Sequence, residues 1–317
     1  MRSFVAPVPL RSVFLDLPLI TGDEVPHAPY LAATANVWPG GAAVYQADQG
    51  EGFVLNTIVQ QSAIIGQTRN VMEPARSGLF DLGEGLDVQL VHGALSSVEQ
   101  DALLKGRNLA AIGDGTPGGW EVFQFADAEL TEPNRYLLSR RLRGQLGTEG
   151  LGQTAWPAGS WFVLLNGAPE QIELPSSLLR VAQTFRVGPA QRTFDDASYT
   201  ESDHAFEGNG LRPYAPVHLS LANGTNGTDV AWIRRTRLDG DSWDLAEVPL
   251  SEEAEQYIVR VEQGGSVIRE TDVSGPRWTY LASDQLIDGV TGVFAISVAQ
   301  VSGRYGSGSF ARVTVAS

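Results

Sequence analysis

Glycine and proline are spread along the whole chain and divide it into short segments, which constrains the fold more than any other sequence feature. The 317 residues include 35 Gly and 17 Pro, a distribution that favours short strands joined by tight turns over long helices. The length predicts about two domains. From Leu211 onward, seven short segments rich in alternating apolar and polar residues are separated by turn signals, at the spacing of a β-sandwich. These segments are VHLSLANG, DVAWIRRTRLDG, QYIVRVEQGG, SVIRETDV, RWTYLAS, GVFAISVAQVSG and SFARVTVAS. The sequence therefore predicts a mainly β protein whose residues 211–317 form a sandwich.

Two further parts are predicted before this sandwich. Residues 1–47 are rich in Pro and Gly and lack obvious partners of their own, so we expect an extended segment that completes a domain beginning upstream. Residues 48–205 predict a β-rich domain with one short helix, in ALSSVEQDALLKGRN. Ser96 or Ser97 is expected to cap this helix. The polar stretch that follows, at 189–211, is the predicted domain boundary.

The charge and composition restrict the partners of the chain. Its net charge is −15, and an acidic surface repels phosphate backbones and anionic lipids, so neither nucleic-acid nor membrane-surface binding is expected. No run of 18 apolar residues occurs, so no segment is expected to span a membrane. The proline-interrupted start shows no secretory signal. The chain has no cysteine, which excludes disulfides, thiolate metal sites and cysteine nucleophiles.

No local motif predicts a catalytic or cofactor site. GDGTPGG, at 113–119, has G-x-G-x-x-G spacing, but a dinucleotide site requires a helix directly after the loop. Because the strand-like WEVFQF follows, we interpret the motif as a hairpin turn. No two of the four histidines lie three to five residues apart, so local metal-binding spacing is absent, and His204 is expected in a solvated loop. The sequence thus predicts no enzyme, no cofactor and no metal.

Two acidic groups leave alternatives open. Calcium binds clusters of carboxylate oxygens, and DGDSWD contains three carboxylates in a short loop, which also fits an ordinary Asp-Gly turn. They are Asp239, Asp241 and Asp244. A hydrolase would need two carboxylates facing each other across a cleft, and the nearest to a candidate group are Glu170, Glu173, Asp195 and Asp196. We favour a turn for the first group and a solvated acidic face for the second.

The seven tryptophans raise the possibility of sugar binding, since the C–H groups of sugars stack on indole faces. Tryptophan in the strands of a small sandwich more often lies in the core, and Trp232, in VAWIRRT, is expected there. Trp156, beside Pro157 in TAWPAGS, is expected to be exposed. Trp156 and Trp161 are the candidate glycan contacts. The alternative function is therefore a carbohydrate-binding accessory module of a glycosidase-type protein.

The C-terminal module resembles fibronectin type III domains. The early-strand Trp of that family corresponds to Trp232, and its central-strand Tyr corresponds to Tyr257 in QYIVRV. Its penultimate strand is similar to FAISVAQV, residues 294–301. Phe294 stands where the family has the Tyr whose hydroxyl makes the tyrosine corner. This departure removes one hydrogen bond from the family pattern.

A broader resemblance covers most of the chain. RYLLSRRLRGQLGTEG, at 135–150, followed by SWFVLLNG, is similar to a pattern in tail-tip and host-specificity proteins of long-tailed phages. PHAPYLAATANVWPGGAAVYQA and WIRRTRLDGDSWDLAEVPLSEEAEQYIVRV resemble the C-terminal part of the large baseplate hub protein of gene transfer agents, phage-like particles that carry host DNA between bacteria. In that family a glycoside-hydrolase-like barrel lies upstream of the matching part. The resemblance therefore carries over no catalytic residue.

This resemblance implies a structural virion component of a tail tip or baseplate that contributes to host-cell attachment. The chain would be a C-terminal segment or a shortened relative of the hub protein. Residues 48–205 would then form a β-rich domain of the phage-tail type, and residues 1–47 would complete an upstream or hub domain. Its implied partners are other tail and baseplate proteins in a homotrimeric particle component, together with cell-surface polysaccharide. It would be made in the bacterial cytoplasm and act in an extracellular phage-like particle.

Overall fold

Two units divide the chain, Met1–Gly210 and Leu211–Ser317. The computed structural model describes residues 10–238, 240 and 248–315. Both units consist mainly of β-strands within these residues, which confirms the predicted fold class. The division falls within the polar stretch at 189–211.

The first unit contains fourteen strands and one short helix in its described part. In chain order they are β1 Arg11–Leu15, β2 Tyr30–Thr34, β3 Ala42–Asp48, β4 Glu51–Val59, β5 Ile65–Thr68, β6 Phe80–Asp81, β7 Leu86–Leu90, α1 Gln100–Leu104, β8 Leu109–Gly113, β9 Trp120–Glu132, β10 Arg135–Gln145, β11 Trp161–Leu164, β12 Glu170–Gln171, β13 Gln183–Pro189 and β14 Thr200–His204. Single 3₁₀ turns occur at Leu151–Gln153, Ser176–Leu178 and Asn209–Leu211.

These strands form three antiparallel sheets. The largest has the order β6-β10-β7-β5-β11-β8-β9, and β9 also pairs with β10, so six of its strands close into a barrel. A second sheet has the order β1-β2-β12, and a third has the order β14-β13-β3-β4. The long β9–β10 hairpin places Leu138 opposite Ala128 and Arg141 opposite Phe125.

Because side chains alternate along a strand, a single strand can contribute to two different hydrophobic cores. On β9, Phe123 and Phe125 point into the barrel, whereas Trp120 and Val122 point outward. Successive side chains of a strand point to opposite faces. The outward residues pack against Leu15 of β1, and the barrel thereby gains a second apolar contact on its outer wall.

Strands β1 and β2 form a middle layer that is buried on both faces. Val13 and Leu15 contact the outer wall of the barrel, whereas Phe14 packs in a different cluster with Val44 and Phe185 of the four-stranded sheet. All five residues of β2, YLAAT, are buried. A strand covered on both sides lacks the apolar–polar alternation of a half-exposed strand. This explains why the sequence suggested no partners here.

The expectation for residues 1–47 needs correction for its described part. Instead of an extended segment that only completes another domain, residues 10–47 supply the middle layer and β3, which pairs with β4 and β13. Small residues such as Ala32 and Ala33, both fully buried, allow the layers to approach closely on either side.

The described helix α1 also departs from its predicted start. It follows Glu99, whose side chain makes no capping hydrogen bond. Ser97 Oγ instead accepts a hydrogen bond from the backbone N–H of Ala128, at 3.0 Å. The helix ends before Gly106, whose φ of +89° is favourable for glycine. The GDGTPGG motif joins β8 and β9 as a hairpin turn, as predicted, with Gly113 opposite Trp120.

The second unit is a sandwich of two antiparallel sheets. Its strands are β15 Val217–Gly224, β16 Gly227–Ile233, β17 Tyr257–Gln263, β18 Ser266–Val273, β19 Arg277–Leu281, β20 Phe294–Ser302, β21 Gly306–Ser307 and β22 Ala311–Val315, with the helix α2 at Ala282–Ile287. One sheet has the order β15-β16-β19, and the other has the order β18-β17-β20 with β22 also paired to β20.

This strand order is that of a fibronectin type III-like sandwich. Strands one, two and five form one sheet, and strands three, four, six and seven form the other, as counted over the seven predicted segments. Trp232 is 4% exposed, and Tyr257 is fully buried against it in an edge-on ring contact of 5.1 Å. Phe294 is also in this core. The predicted sandwich is confirmed.

No helix in the described parts of either unit is both long and apolar enough to cross a membrane.

Asp16, one residue beyond β1, binds the end of the first unit to the middle layer. Its carboxylate accepts hydrogen bonds from three consecutive backbone N–H groups, at 2.7, 2.9 and 2.7 Å, and its side chain is buried. The donors belong to Glu207, Gly208 and Asn209. The Asn209 side chain returns a hydrogen bond to the Asp16 carbonyl at 2.8 Å. The Asp16 carboxylate, which interrupts the apolar segment at the start of the sequence, is therefore a buried hydrogen-bond acceptor.

We expect Asp16→Asn to destabilise the first unit by about 3 kcal/mol, because an amide NH₂ would face backbone donors and leave them without an acceptor. Asp23→Asn, at an exposed position of the same segment, is the matched control and should change stability by less than about 0.5 kcal/mol. Urea unfolding of both variants measures the difference, and hydrogen exchange at 207–209 localises it. Equal unfolding midpoints for the two variants would contradict this role of Asp16.

Candidate functional site

The structure places the two candidate tryptophans in different surroundings. Trp156 is only 7% exposed, so the expectation that it lies on the surface is wrong. Its backbone N–H and carbonyl pair with Met72 at 2.9 Å each, and this bridge directs the indole into the barrel core. Pro157 does mark a turn, but the turn begins after the bridge. Trp156 therefore cannot offer an indole face to a sugar.

Inside the barrel, Trp156 belongs to a buried cluster of charged side chains. Its Nε1 donates a hydrogen bond of 2.6 Å to Glu121. Arg143 donates to the same carboxylate through Nε at 2.7 Å and through Nη2 at 2.8 Å, and both charged side chains are fully buried. Arg143 also donates to the carbonyl of Glu73. Each nitrogen of the Arg143 guanidinium and both oxygens of the Glu121 carboxylate thus have a hydrogen-bond partner, as buried charges require.

Asp81 extends the cluster towards the barrel surface. Arg141 donates to it at 2.8 Å, and Arg143 lies 3.5 Å from it. Burial raises the pKa of the Asp81 carboxyl, but hydrogen bonds from the Gly83 N–H and from Arg141 outweigh it and hold the pKa below its usual value. The segment RRLRG could have indicated this cluster, because Arg141 and Arg143 are two residues apart on a strand. We assign the cluster a structural role.

We expect Glu121→Gln to cost about 3 kcal/mol, because it leaves the buried Arg143 guanidinium with only the more distant Asp81, at 3.5 Å, as counter-charge. Asp127→Asn is the matched control on the same hairpin. Its partner Arg140 is 2.6 Å away, but both side chains are more than a third exposed, so the loss should stay below about 1 kcal/mol. Urea unfolding compares the two. A cost for Glu121→Gln no larger than that of the control would refute the structural role.

Trp161, in contrast, lies at the edge of a cleft of about 650 Å³. It is the first residue of β11, where it pairs with Gln67 on one side and Gly113 on the other. The indole is half-buried and packs against the apolar cluster on the outer wall of the barrel. The cleft is also lined by two guanidinium groups and by three side-chain amides, namely Arg11, Arg69, Asn36, Gln67 and Gln89.

A second groove of about 400 Å³ adjoins this cleft at Arg11 and Trp161, which line both. It lies along the β1 strand and β14, and its lining includes Gly115, Glu201 and His204. A Cβ added to Gly115 would lie 2.8 Å from the indole Nε1 of Trp161, and the φ of this glycine is +90°. Glycine at this turn therefore permits the observed position of the indole.

His204 differs from its prediction as a solvated loop residue. It is the last residue of β14, and its ring lies 4.7 Å from that of Phe14 and stacks on Phe206 at 5.9 Å. Burial lowers the pKa of His204 below its ordinary value of 6.5, and Asp203 offsets this only in part. The imidazole is therefore neutral at pH 7.

This lowered pKa predicts a pH dependence of stability. Because the unfolded chain takes up the proton more readily, the stabilisation from neutral His204 is complete above about pH 6.5 and is lost as the pH falls through the lower folded-state pKa. We expect His204→Phe to reduce the change in the unfolding free energy of the first unit between pH 7 and pH 5. His92→Phe, at an exposed position, is the matched control for the substitution itself and should change the unfolding free energy at pH 7 by less than about 0.5 kcal/mol. An unchanged slope in His204→Phe would contradict the assignment.

The remaining acidic candidates are placed as follows. Asp239, Asp241 and Asp244 lie outside the described residues, and calcium there stays an open alternative. Within the described ranges, no group of three or more His, Asp or Glu side chains is arranged to hold a metal ion.

Two of the four carboxylates named for a hydrolase accept hydrogen bonds from neighbouring groups. Glu170 accepts a hydrogen bond from the N–H of Gln60 at 2.9 Å. Asp196 accepts from the hydroxyl and N–H of Ser198, which lower its pKa and keep it ionised at neutral pH. The side chain of Asn56 donates a hydrogen bond to the backbone carbonyl of Glu173 and accepts one from its backbone N–H. Asp195 is exposed. These contacts give the first two carboxylates structural roles.

Comparisons with known proteins add one family match. Residues 63–163 match the model of a family described as Rcc01698-like, C-terminal. This match is under half of the chain, and it covers the barrel from β5 to β11, including Trp156 and Trp161. No curated protein matches the chain.

Among solved structures, the chain is similar to the fibronectin domains FN1–FN3 of chicken CNTN1. The overlap covers 98% of each chain at 10% sequence identity, with a TM-score of 0.23. Values this low do not establish a common fold. The assignment of the second unit as a sandwich rests on its strand order and core.

Proposed function

We propose that this chain is a structural component of a phage-like tail tip or baseplate and contributes to host-cell attachment. The observation that carries the proposal is the resemblance of residues 135–150 to tail-tip and host-specificity proteins. These residues include β10, which pairs with three other strands and supplies the buried Arg143. The resemblance thus concerns residues that hold the barrel together. A pattern shared at such residues supports the proposal that the tail-tip proteins contain a similar domain.

The surface of the second unit supports an assembled particle. Leu286 and Ile287, at the end of α2, are 84% and 77% exposed. Adjacent apolar side chains of this size in water favour burial against another subunit. We propose that the neighbours are other tail and baseplate proteins and further copies of this chain in a homotrimer. The place of action is then an extracellular phage-like particle, after synthesis in the bacterial cytoplasm.

A carbohydrate-binding accessory module is the second candidate function. The cleft at Trp161 favours it, because a half-buried indole beside amide and guanidinium groups offers both stacking and hydrogen bonds to a saccharide. Trp156 contributes nothing to this alternative because it is buried. Glycan binding is also compatible with attachment to a cell surface.

Particles from a producing strain without this chain test the proposal. We expect incomplete tail tips by electron microscopy and at least about tenfold weaker adsorption to recipient cells, since losing one set of repeated contacts removes avidity. Supplying the wild-type chain in trans is the control and should restore both. Particles of normal tip structure that adsorb normally without the chain would overturn the proposal.

A further inference from the structure

We infer that the cleft beside Trp161 binds an acidic polysaccharide, with its carboxylates on Arg11 and Arg69 and a sugar ring on the indole. The inference rests on the proposed attachment function, and it names the class of ligand. The volume of about 650 Å³ lies in the range of small-ligand sites. Because the adjoining groove shares Arg11 and Trp161, the two spaces together suit a linear chain of sugars.

The charge of the cleft contrasts with that of the whole chain. The sequence has 37 acidic and 22 basic residues, yet the cleft is lined by two arginines and by no carboxylate. Within the described part of the protein, neither Arg11 nor Arg69 forms an ion pair. Arg69 lies near Asp87, whose pKa is lowered first by hydrogen bonds from Arg135 and further by the charge of Arg69. The Asp87 carboxylate is already engaged by Arg135, at 2.9 Å.

Guanidinium groups with these properties favour carboxylate ligands. A planar guanidinium binds a carboxylate through two parallel N–H donors, and such charge-assisted pairs are stronger than neutral hydrogen bonds. Both side chains are exposed, at the start of β1 and just beyond β5, so ligand approach requires no rearrangement of the core.

The neutral part of the lining suits the rest of a sugar. The amide of Asn36 can both donate and accept hydrogen bonds, as sugar hydroxyls do. The amide nitrogens of Gln67 and Gln89 already donate to the carbonyls of Gly159 and Asn134, so these two side chains offer their oxygens as acceptors. Trp161 provides an apolar surface for the C–H face of the ring. Its packing on the barrel wall and the close approach of Gly115 hold it in position.

A uronic acid polymer fits this arrangement better than a nucleic acid does. Single-stranded nucleic acid requires a basic groove along its backbone and successive aromatic platforms, whereas this cleft has two cations and one indole in a chain of net charge −15. A uronate-containing chain carries at most one charge per sugar and needs only one stacking surface, which the single indole provides. In the adjoining groove the Glu201 carboxylate is paired with Arg186 at 2.6 Å, which reduces repulsion of an anion there.

Calorimetric titration of the full chain with three acidic tetrasaccharides tests the inference. The probes are oligogalacturonate, oligomannuronate and a glucuronate-containing hyaluronan fragment, each compared with its neutral methyl ester. We expect at least one acid to bind, and its ester to bind about tenfold more weakly or worse, because the ester cannot form the charged pairs. Failure of all three acids, or equal binding of acid and ester, would overturn the inference.

Substitutions locate the binding site. We expect a Kd for the bound acid about tenfold higher in each of three variants, Arg11→Gln, Arg69→Gln and Trp161→Phe. Phenylalanine is chosen at position 161 because it keeps an aromatic side chain, whereas a Trp161→Ala variant could fail to fold. Arg277→Gln is the matched control, since it removes an exposed arginine from β19 of the other unit. Binding unaffected by all three cleft substitutions, at unchanged thermal unfolding midpoints, would overturn the assignment to this cleft.

Adsorption of particles that carry cleft substitutions, or that lack the chain, distinguishes a failure of this inference from a failure of the proposed function. If particles carrying Arg11→Gln and Arg69→Gln adsorb like the wild type while particles without the chain do not, attachment stands and the ligand assignment fails. If the purified chain binds the acid through this cleft while particles lacking it adsorb normally, the ligand assignment stands and the tail-tip function fails.

Discussion

The first unit depends on a middle layer that is buried on both faces. Strands β1 and β2 contact the barrel with one set of side chains and the four-stranded sheet with the other, so the two cores share one wall. Asp16, directly beyond β1, fixes that wall to the last turn of the unit through three backbone N–H groups. Arg11 begins the same strand, and the layer therefore also places one cation of the cleft.

The barrel tolerates charge in its interior because the charges are fully paired. Glu121, Arg143 and Trp156 connect β9, β10 and the bridge to Met72 by hydrogen bonds that need one register. A buried ion pair adds little net stability relative to a well-packed apolar group, but it penalises arrangements that separate its partners. A shift of β9 against β10 by one residue would turn one of these two side chains to the outer face and leave the other buried without its partner. We therefore propose that the cluster specifies the hairpin register.

The cleft combines features that each have an ordinary structural origin. Trp161 is at a strand start and packs on the barrel wall, and the two arginines lie near the ends of β1 and β5. Their combination gives a locally basic, carboxylate-free lining on an acidic protein. In the attachment role that we propose, such a contrast would add specificity, because the remaining acidic surface disfavours unspecific contact with polyanions.

The sequence by itself determined the elements whose signals are local. Alternation and turn residues predicted the seven strands of the second unit, Trp232 and Tyr257 in its core, and the hairpin at 113–119. Only the tertiary structure decided the pairing of residues 10–47, the burial of Trp156, the packing of His204 against Phe14, and the meeting of Arg11, Arg69 and Trp161 in one cleft. The physical reason is that alternation specifies which side of a strand is apolar, whereas strand pairing over long sequence distances specifies what that side faces.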